Sequence, residues 1–226
     1  MKKVAIYIHG KGGNVSEAEH YKSLLKGYEV IGLDYKSETP WDAVGEFRSF
    51  FASLDGYDSA LLIANSIGAY FAMMALGGDI PCNVAAGNLM KIERALFISP
   101  VVNMEKLITN MMLWANVSEV DLRTRGEIPT KFGETLSWKY LCYVREHPIR
   151  WNVCERNGVC DNPKAVNFVP TDILYGFADN ITCPDEIHNF AVRSGASLTV
   201  MDGGEHWFHT SGQMEFLDRW IVGLKL

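Results

Sequence analysis

The sequence predicts an α/β fold: a reduced parallel sheet of about six strands flanked by helices, in a single domain spanning 1–226, with a helical cap-like insert at 100–170. Three observations predict it. Short apolar runs recur at 4–8, 29–33, 60–64, 95–99, 173–175 and 197–201. Most are continuously apolar, as strands covered on both faces of a parallel sheet are. Helical patterns separate them, and such alternation specifies right-handed strand–helix–strand crossovers. The third run, Ala60-Leu61-Leu62-Ile63-Ala64, passes through Asn65-Ser66-Ile67-Gly68 directly into Ala69-Tyr70-Phe71-Ala72. That is a buried strand turning sharply into a helix, with a serine at the apex.

Met1-Lys2-Lys3 and the apolar run after it superficially resemble a signal peptide. The run is too short, and His9-Gly10 interrupts it without a cleavage pattern, so it reads as the first strand of a cytoplasmic protein. After the second strand, Thr39-Pro40 reads as a helix cap followed by proline in the first turn, with Val44, Phe47, Phe51 and Leu54 on one face. The helix after Ser66 gives way to a Gly-, Asn- and Pro-containing stretch at 77–88, read as a surface excursion. Between Pro100 and Pro170 the rhythm breaks: two helical stretches near 104–115 and 132–145 precede a loop rich in Cys and Asn. Thr182 with Asp185 suggests a capped helix turning Ile187, Phe190 and Ala191 inward. Phe216, Leu217, Trp220 and Ile221 form the apolar stripe of a closing helix.

The bulk numbers exclude several classes. A chain of 226 residues suffices for one well-buried core. Its net charge of −6 argues against nucleic acid or an anionic membrane as partner, since both select basic faces. No apolar stretch is long enough to span a bilayer. Five cysteines, an odd number, fit reduced thiols. Cys154 and Cys160 enclose a short polar loop without the two-residue knuckle spacing or a neighbouring histidine pair, so they read as free thiols and no metal is expected.

Ligands of open parallel sheets bind outside the carboxyl ends of the strands, so chemistry should follow strands. Here His9-Gly10-Lys11-Gly12-Gly13-Asn14 follows the first, Ser66 the third, Gly176-Phe177-Ala178-Asp179-Asn180 the fifth, and Asp202-Gly203-Gly204-Glu205-His206-Trp207 the sixth. A serine hydroxyl needs a base, and histidine suits the task; a carboxylate on its other nitrogen fixes the tautomer. Ser66, Asp179 and His206 supply these types, with Asp202, Asp185 and His209 as rivals. The developing oxyanion needs two N–H donors: Ile67 offers one, and Lys11, with Gly12 in reserve, the other. His9 reads as packing beneath that loop. A dinucleotide reading of Gly10-Lys11-Gly12 with Asp34 fails because Val15 stands where the third glycine should be. A P-loop fails because Gly12, not Ser or Thr, follows the lysine.

Together, His9-Gly10-Lys11-Gly12-Gly13, Ala64-Asn65-Ser66-Ile67-Gly68, Tyr175-Gly176-x-x-Asp179 and Gly203-Gly204-x-His206 resemble the α/β-hydrolase fold, in particular its small cytosolic esterase-like serine hydrolases. The resemblance implies Ser66 as nucleophile, Asp179 as orienting acid and His206 as base. Ala64 replaces the first glycine of the commonest elbow, a tolerated small residue. The stretch before the His-Gly loop has no room for the two strands that precede it in larger members, hence the reduced sheet. The expected reaction is hydrolysis of a carboxylic ester or thioester through an acyl-enzyme. A serine peptidase or amidase of the same fold, or a non-catalytic binding protein, is the alternative. No cofactor is implied, and the expected partner is a small-molecule ester, with the oligomeric state open. Trp114, Trp138 and Trp207 are the expected substrate-binding residues. The Met and aromatic residues of the insert either line an acyl pocket or form a core of their own.

Overall fold

Along the first strand, Val4, Ile6 and Ile8 face one side and Ala5 and Tyr7 the other, and all five are buried. A strand can bury both faces only inside a sheet with a layer on each side. That arrangement organises the computed structural model, which describes residues 2–77, 91–152 and 168–226. The loop holding Cys154 and Cys160, and nearly all of the expected excursion at 77–88, lie outside the described residues.

In chain order the strands are β1 (Lys3–Ile8), β2 (Glu29–Leu33), β3 (Ser59–Asn65), β4 (Lys91–Ile98), β5 (Glu127–Pro129), β6 (Thr135–Ser137), β7 (Thr171–Gly176) and β8 (Ser197–Met201). The helices are α1 (Ala18–Tyr21), α2 (Pro40–Ala52), α3 (Ser66–Leu76), α4 (Met104–Trp114), α5 (Glu119–Arg125), α6 (Trp138–Glu146), α7 (Pro184–Ser194) and α8 (Ser211–Gly223). Six strands form one parallel sheet in the order β2-β1-β3-β4-β7-β8, while β5 and β6 pair as a separate antiparallel hairpin. The expected six-stranded parallel sheet is therefore present, with helices on both sides.

The two faces carry two cores. Val4, Ile6, Ile8, Leu62, Phe97 and Ile173 pack with α2, α3 and α7, and this cluster continues into α4, α5 and α6. Ala5, Tyr7, Leu61, Ile63, Leu96 and Leu174 pack with α1 and α8. In α2 the buried positions include Ala43, Phe47 and Phe51, while Val44 is only half-buried. β4 begins four residues earlier than its apolar run, because Lys91, Ile92 and Arg94, polar or half-buried, still pair with β3 while Glu93 is skipped where the register shifts. Arg94 there reaches Asp172 of β7 at 2.6 Å.

The segment between β4 and β7 departs most from expectation. The helix expected from 132 begins only at Trp138, because Thr135–Ser137 pairs with Glu127–Pro129 across a turn in which Gly133 takes φ 87°. α5 went unseen: it buries only Leu122 and stands on a reciprocal cap between Ser118 and Asp121. No helix among the described residues is long and apolar enough to cross a membrane.

Phe47 sits fully buried, with ring centroids 5.1, 6.4 and 6.0 Å from Tyr35, Phe51 and Phe71. Phe47→Ala should cost about 3–5 kcal/mol, the usual loss for a buried aromatic that leaves a cavity. Urea unfolding of the variant measures it; a loss below about 1 kcal/mol would contradict this packing.

Candidate active site

β1 and β3 are parallel with Ile8 opposite Ala64, so the loop after one lies beside the turn after the other. Ser66 stands at that turn with φ 50°, a left-handed conformation that non-glycine residues rarely hold. Its neighbours must be small. A Cβ on Gly68 would lie 2.3 Å from the His9 carbonyl oxygen, and one on Gly10 would lie 3.2 Å from Ser66 Cβ. His9 itself is buried, stacked on Tyr35 at 4.4 Å; its Nδ1 lies 2.8 Å from the Gly10 carbonyl. Tyr35 donates its hydroxyl to the His9 carbonyl at 2.9 Å. His9 is thus a packing residue beneath the glycine loop, as expected.

Ser66 is the first residue of α3 and Ile67 the second. The first N–H groups of a helix lack intrahelical partners, and asparagine before a helix usually caps them. Asn65 does not: no side chain caps α3, and Asn65 Nδ2 donates instead to the Tyr7 hydroxyl at 3.0 Å. Across from this helix end, Gly13 N–H donates to the Gly10 carbonyl at 3.1 Å, a turn with Lys11 and Gly12 at its tip and Gly12 at φ 77°. The Lys11 ammonium pairs with Glu134 in the β5–β6 turn.

Two loops bring the remaining groups to Ser66. Gly176 pairs with Met201 at the ends of β7 and β8. Phe177 and Ala178 then donate to the carbonyls of Met201 and Gly204 at 2.9 and 2.8 Å. The backbones approach so closely that a Cβ on Gly176 would fall 2.3 Å from the Gly204 oxygen. Locked this way, Asp179 Oδ2 lies 2.7 Å from His206 Nδ1, and His206 Nε2 lies 2.7 Å from Ser66 Oγ. The Asp179 carboxylate is fully buried and accepts from Ile181 N–H at 2.7 Å, Thr182 N–H at 3.0 Å and the Thr182 hydroxyl at 2.8 Å. Burial alone would raise its pKa; the hydrogen bond and charge of His206 and the bonds from the Thr182 and Ile181 N–H groups outweigh that and hold it below the usual carboxylate range. An ionised carboxylate only accepts, so Nδ1 carries the proton and Nε2 is left to accept from Ser66. Thr182 was expected to cap α7. Its hydroxyl is committed to Asp179, and Cys183 occupies the cap position, with Pro184 in the first turn.

The rivals do not reach this chain of bonds. His209 turns its Nδ1 to the Trp207 carbonyl at 2.6 Å, Asp185 lies in the first turn of α7, and Asp202 is exposed. A cavity of about 610 Å³ opens beside Ser66 and His206, with Lys11, Gly12 and Trp207 also at its surface. Trp114 and Trp138 are not among its lining residues. Trp114 is half-exposed and meets Phe132 edge-on at 6.2 Å. Trp138 packs on the α2–α3 side of the sheet with Arg123 over its ring. The cavity's apolar lining, Tyr21, Ile98, Phe208 and Leu217, belongs to the opposite core. Sequence reasoning passed over Tyr7, Glu17 and Asn65, which also line the cavity. A tyrosine within an otherwise aliphatic buried strand was the available signal, since its hydroxyl requires a partner. Among the described residues no group of three or more His, Cys, Asp or Glu could hold a metal ion.

No family model matches the chain, and no curated protein matches it by sequence. Solved structures do match. Est1E from Butyrivibrio proteoclasticus superposes with a TM-score of 0.69 at 17% identity, covering 99% of this chain and 87% of that one. A putative hydrolase from Agrobacterium vitis S4 gives 0.71 at 14% identity, covering 99% and 88%. The thioesterase domain from the curacin biosynthetic pathway gives 0.54 at 15% identity, covering 98% and 91%.

Two measurements check this geometry. Gly176→Ala should destabilise the protein by about 1–3 kcal/mol, the usual cost of forced overpacking. Unchanged melting would contradict the loop contact. Asp179, with its folded pKa depressed, adds stability that is complete above the unfolded value of about 3.9 and is lost as pH falls through the folded one. The melting-temperature gap between wild type and Asp179→Asn should therefore narrow as pH drops from about 6 to about 3. A pH-independent gap would mean that ionised Asp179 is not selectively stabilised in the fold.

Proposed function

We propose, from the α/β-hydrolase fold that the chain shares with these structures, that the protein is a serine hydrolase cleaving a carboxylic ester or thioester of a small molecule. The observation that carries the reading is the unbroken run of hydrogen bonds from Ser66 through His206 to Asp179, assembled from the start of α3 and two loops distant from it in sequence. A putative hydrolase and a thioesterase domain among the similar structures support the same class of reaction.

In this reading His206 Nε2 takes the Ser66 proton as Oγ attacks the substrate carbonyl, and Asp179 stabilises the imidazolium that forms. The oxyanion is met by the N–H of Ile67 and by that of Lys11, with Gly12 in reserve. Both sit where donors are available: at the uncapped end of α3 and at the tip of the turn after β1. His206 then protonates the leaving alcohol or thiol, and the tetrahedral species collapses to an acyl-enzyme. Water enters, gives its proton to His206, and releases the acid. Trp207, exposed at the mouth, offers the substrate an aromatic surface. Residues 100–170 act as a cap-like insert of the single domain, touching the glycine loop through Glu134 and Lys11.

Ser66→Ala should abolish covalent labelling by a fluorophosphonate and lower aryl-ester turnover by about 10⁴–10⁶-fold with folding intact. Intact-mass analysis and ester kinetics read both, and wild-type labelling in the variant would overturn the assignment. His206→Ala should be as damaging, whereas His209→Ala should retain most of the activity; the reverse pattern would move the base to His209.

A further inference from the structure

Asparagine is among the strongest helix-capping residues, and Asn65 has the backbone for it: φ −102° and ψ 137°, the extended conformation that precedes a helix. A capping side chain accepts from the second or third N–H of its helix, which in α3 are those of Ile67 and Gly68. The acceptor is at hand, since Asn65 Oδ1 is buried with no partner among the described residues. An orphaned acceptor and an uncapped helix end thus adjoin without satisfying each other. Leaving such a bond unmade is costly, so another contact sets the direction of the amide.

The donors and acceptors around it identify that contact. Glu17 ends a short 3₁₀ turn at Val15–Glu17, where its Oε1 accepts the Asn14 N–H at 3.1 Å in a reciprocal cap. Its Oε2 lies 2.5 Å from the Tyr7 hydroxyl. A carboxylate only accepts, so the single hydroxyl proton of Tyr7 is committed to Glu17. The phenolic oxygen can then only accept, and at 3.0 Å it takes Asn65 Nδ2. This relay passes polarity from Glu17 through Tyr7 to the amide, whose nitrogen is drawn to β1 and whose oxygen stays unpaired. We propose that Tyr7, directed by Glu17, is a positioning residue for the nucleophile turn: it holds Asn65 off the start of α3 and keeps the Ile67 N–H for the substrate oxyanion. The proposal rests on the hydrolase reading and adds to it two residues that act only through a third.

Tyr7→Phe tests it, because phenylalanine keeps the ring packed 5.0 Å from that of Tyr21 and removes only the hydroxyl. Released, the Asn65 amide should turn and cap α3, and the oxyanion then has to displace that bond. On 4-nitrophenyl acetate kcat should fall about 10-fold, the rate equivalent of a typical cap, with KM within about 2-fold, since the oxyanion forms only on the way to the transition state. Adding Asn65→Ala, which removes the capping oxygen, should restore most of the loss. A variant damaged through packing alone gains nothing from a second truncation beside it. Another comparison leaves Tyr7 in place: serine at 65 caps a helix and alanine does not, while both lack the amide that Tyr7 holds. Asn65→Ala should therefore exceed Asn65→Ser in kcat by about 10-fold at similar KM. If Tyr7→Phe does not fold, the comparison at 65 decides alone. Tyr7→Phe within about 2-fold of wild type, a double variant no faster than Tyr7→Phe, or serine matching alanine at 65 would overturn the proposal. Fluorophosphonate labelling of Ser66 with turnover indifferent to residues 7 and 65 would sink this proposal alone. Wild-type protein that neither labels nor hydrolyses any ester would sink the hydrolase reading with it.

Discussion

The arrangement depends on one close approach: the start of α3 against the backbone that leaves β1. Gly68 lies where any Cβ would strike the His9 carbonyl, and the helix begins with no spacer after β3. The chain can make that turn only with Ser66 at positive φ, a conformation costing about 1–2 kcal/mol for a residue with a side chain. The cost is offset at once, because α3 buries Ala69, Tyr70, Phe71, Ala72 and Met73 in the core. A single buried Phe or Met side chain contributes about 1.5–3 kcal/mol. The serine is therefore held in its unfavourable state by the helix behind it, and its hydroxyl direction does not depend on flexible surface loops.

A second consequence follows from the two-sided sheet. The described part of the segment between β4 and β7 sends Ile108, Met112, Leu122 and Leu141 into the core shared with α2 and α3, whereas the cavity beside Ser66 is lined from the core shared with α1 and α8. Stability of the segment and shape of the cavity thus draw on different residues. The Lys11–Glu134 pair connects the two across the carboxyl edge of the sheet. At the exposure of Lys11 such a pair contributes little to stability, but it ties the glycine loop to the hairpin turn.

The strands were legible because five of the six are apolar over most of their length, and a buried parallel strand leaves that mark on its sequence. The front of β4 was not, since Lys91, Glu93 and Arg94 face partial solvent and carry no such mark. β5 and β6 are three residues each, too short for a period to appear, and α5 is defined by its cap and charges more than by an apolar stripe. Ser66, Asp179 and His206 were legible as candidates because each follows a strand that feeds the same edge. The polar relay of Asn65, Tyr7 and Glu17 was not, because its bonds span 58 and 10 residues of chain and depend on which way an asparagine turns. Thr182 failed for the same reason: a threonine before a helix looks like a cap until a buried carboxylate claims its hydroxyl.

Asn65 has a consequence for anyone who would make this protein more robust. An asparagine that declines to cap leaves α3 about 1 kcal/mol short of what its sequence position allows. Selection on melting temperature alone would favour side chains at 65 that turn inward and claim those N–H groups, and on the reading proposed above would close the place where a substrate oxygen sits. On that reading robustness and turnover pull against each other at this residue.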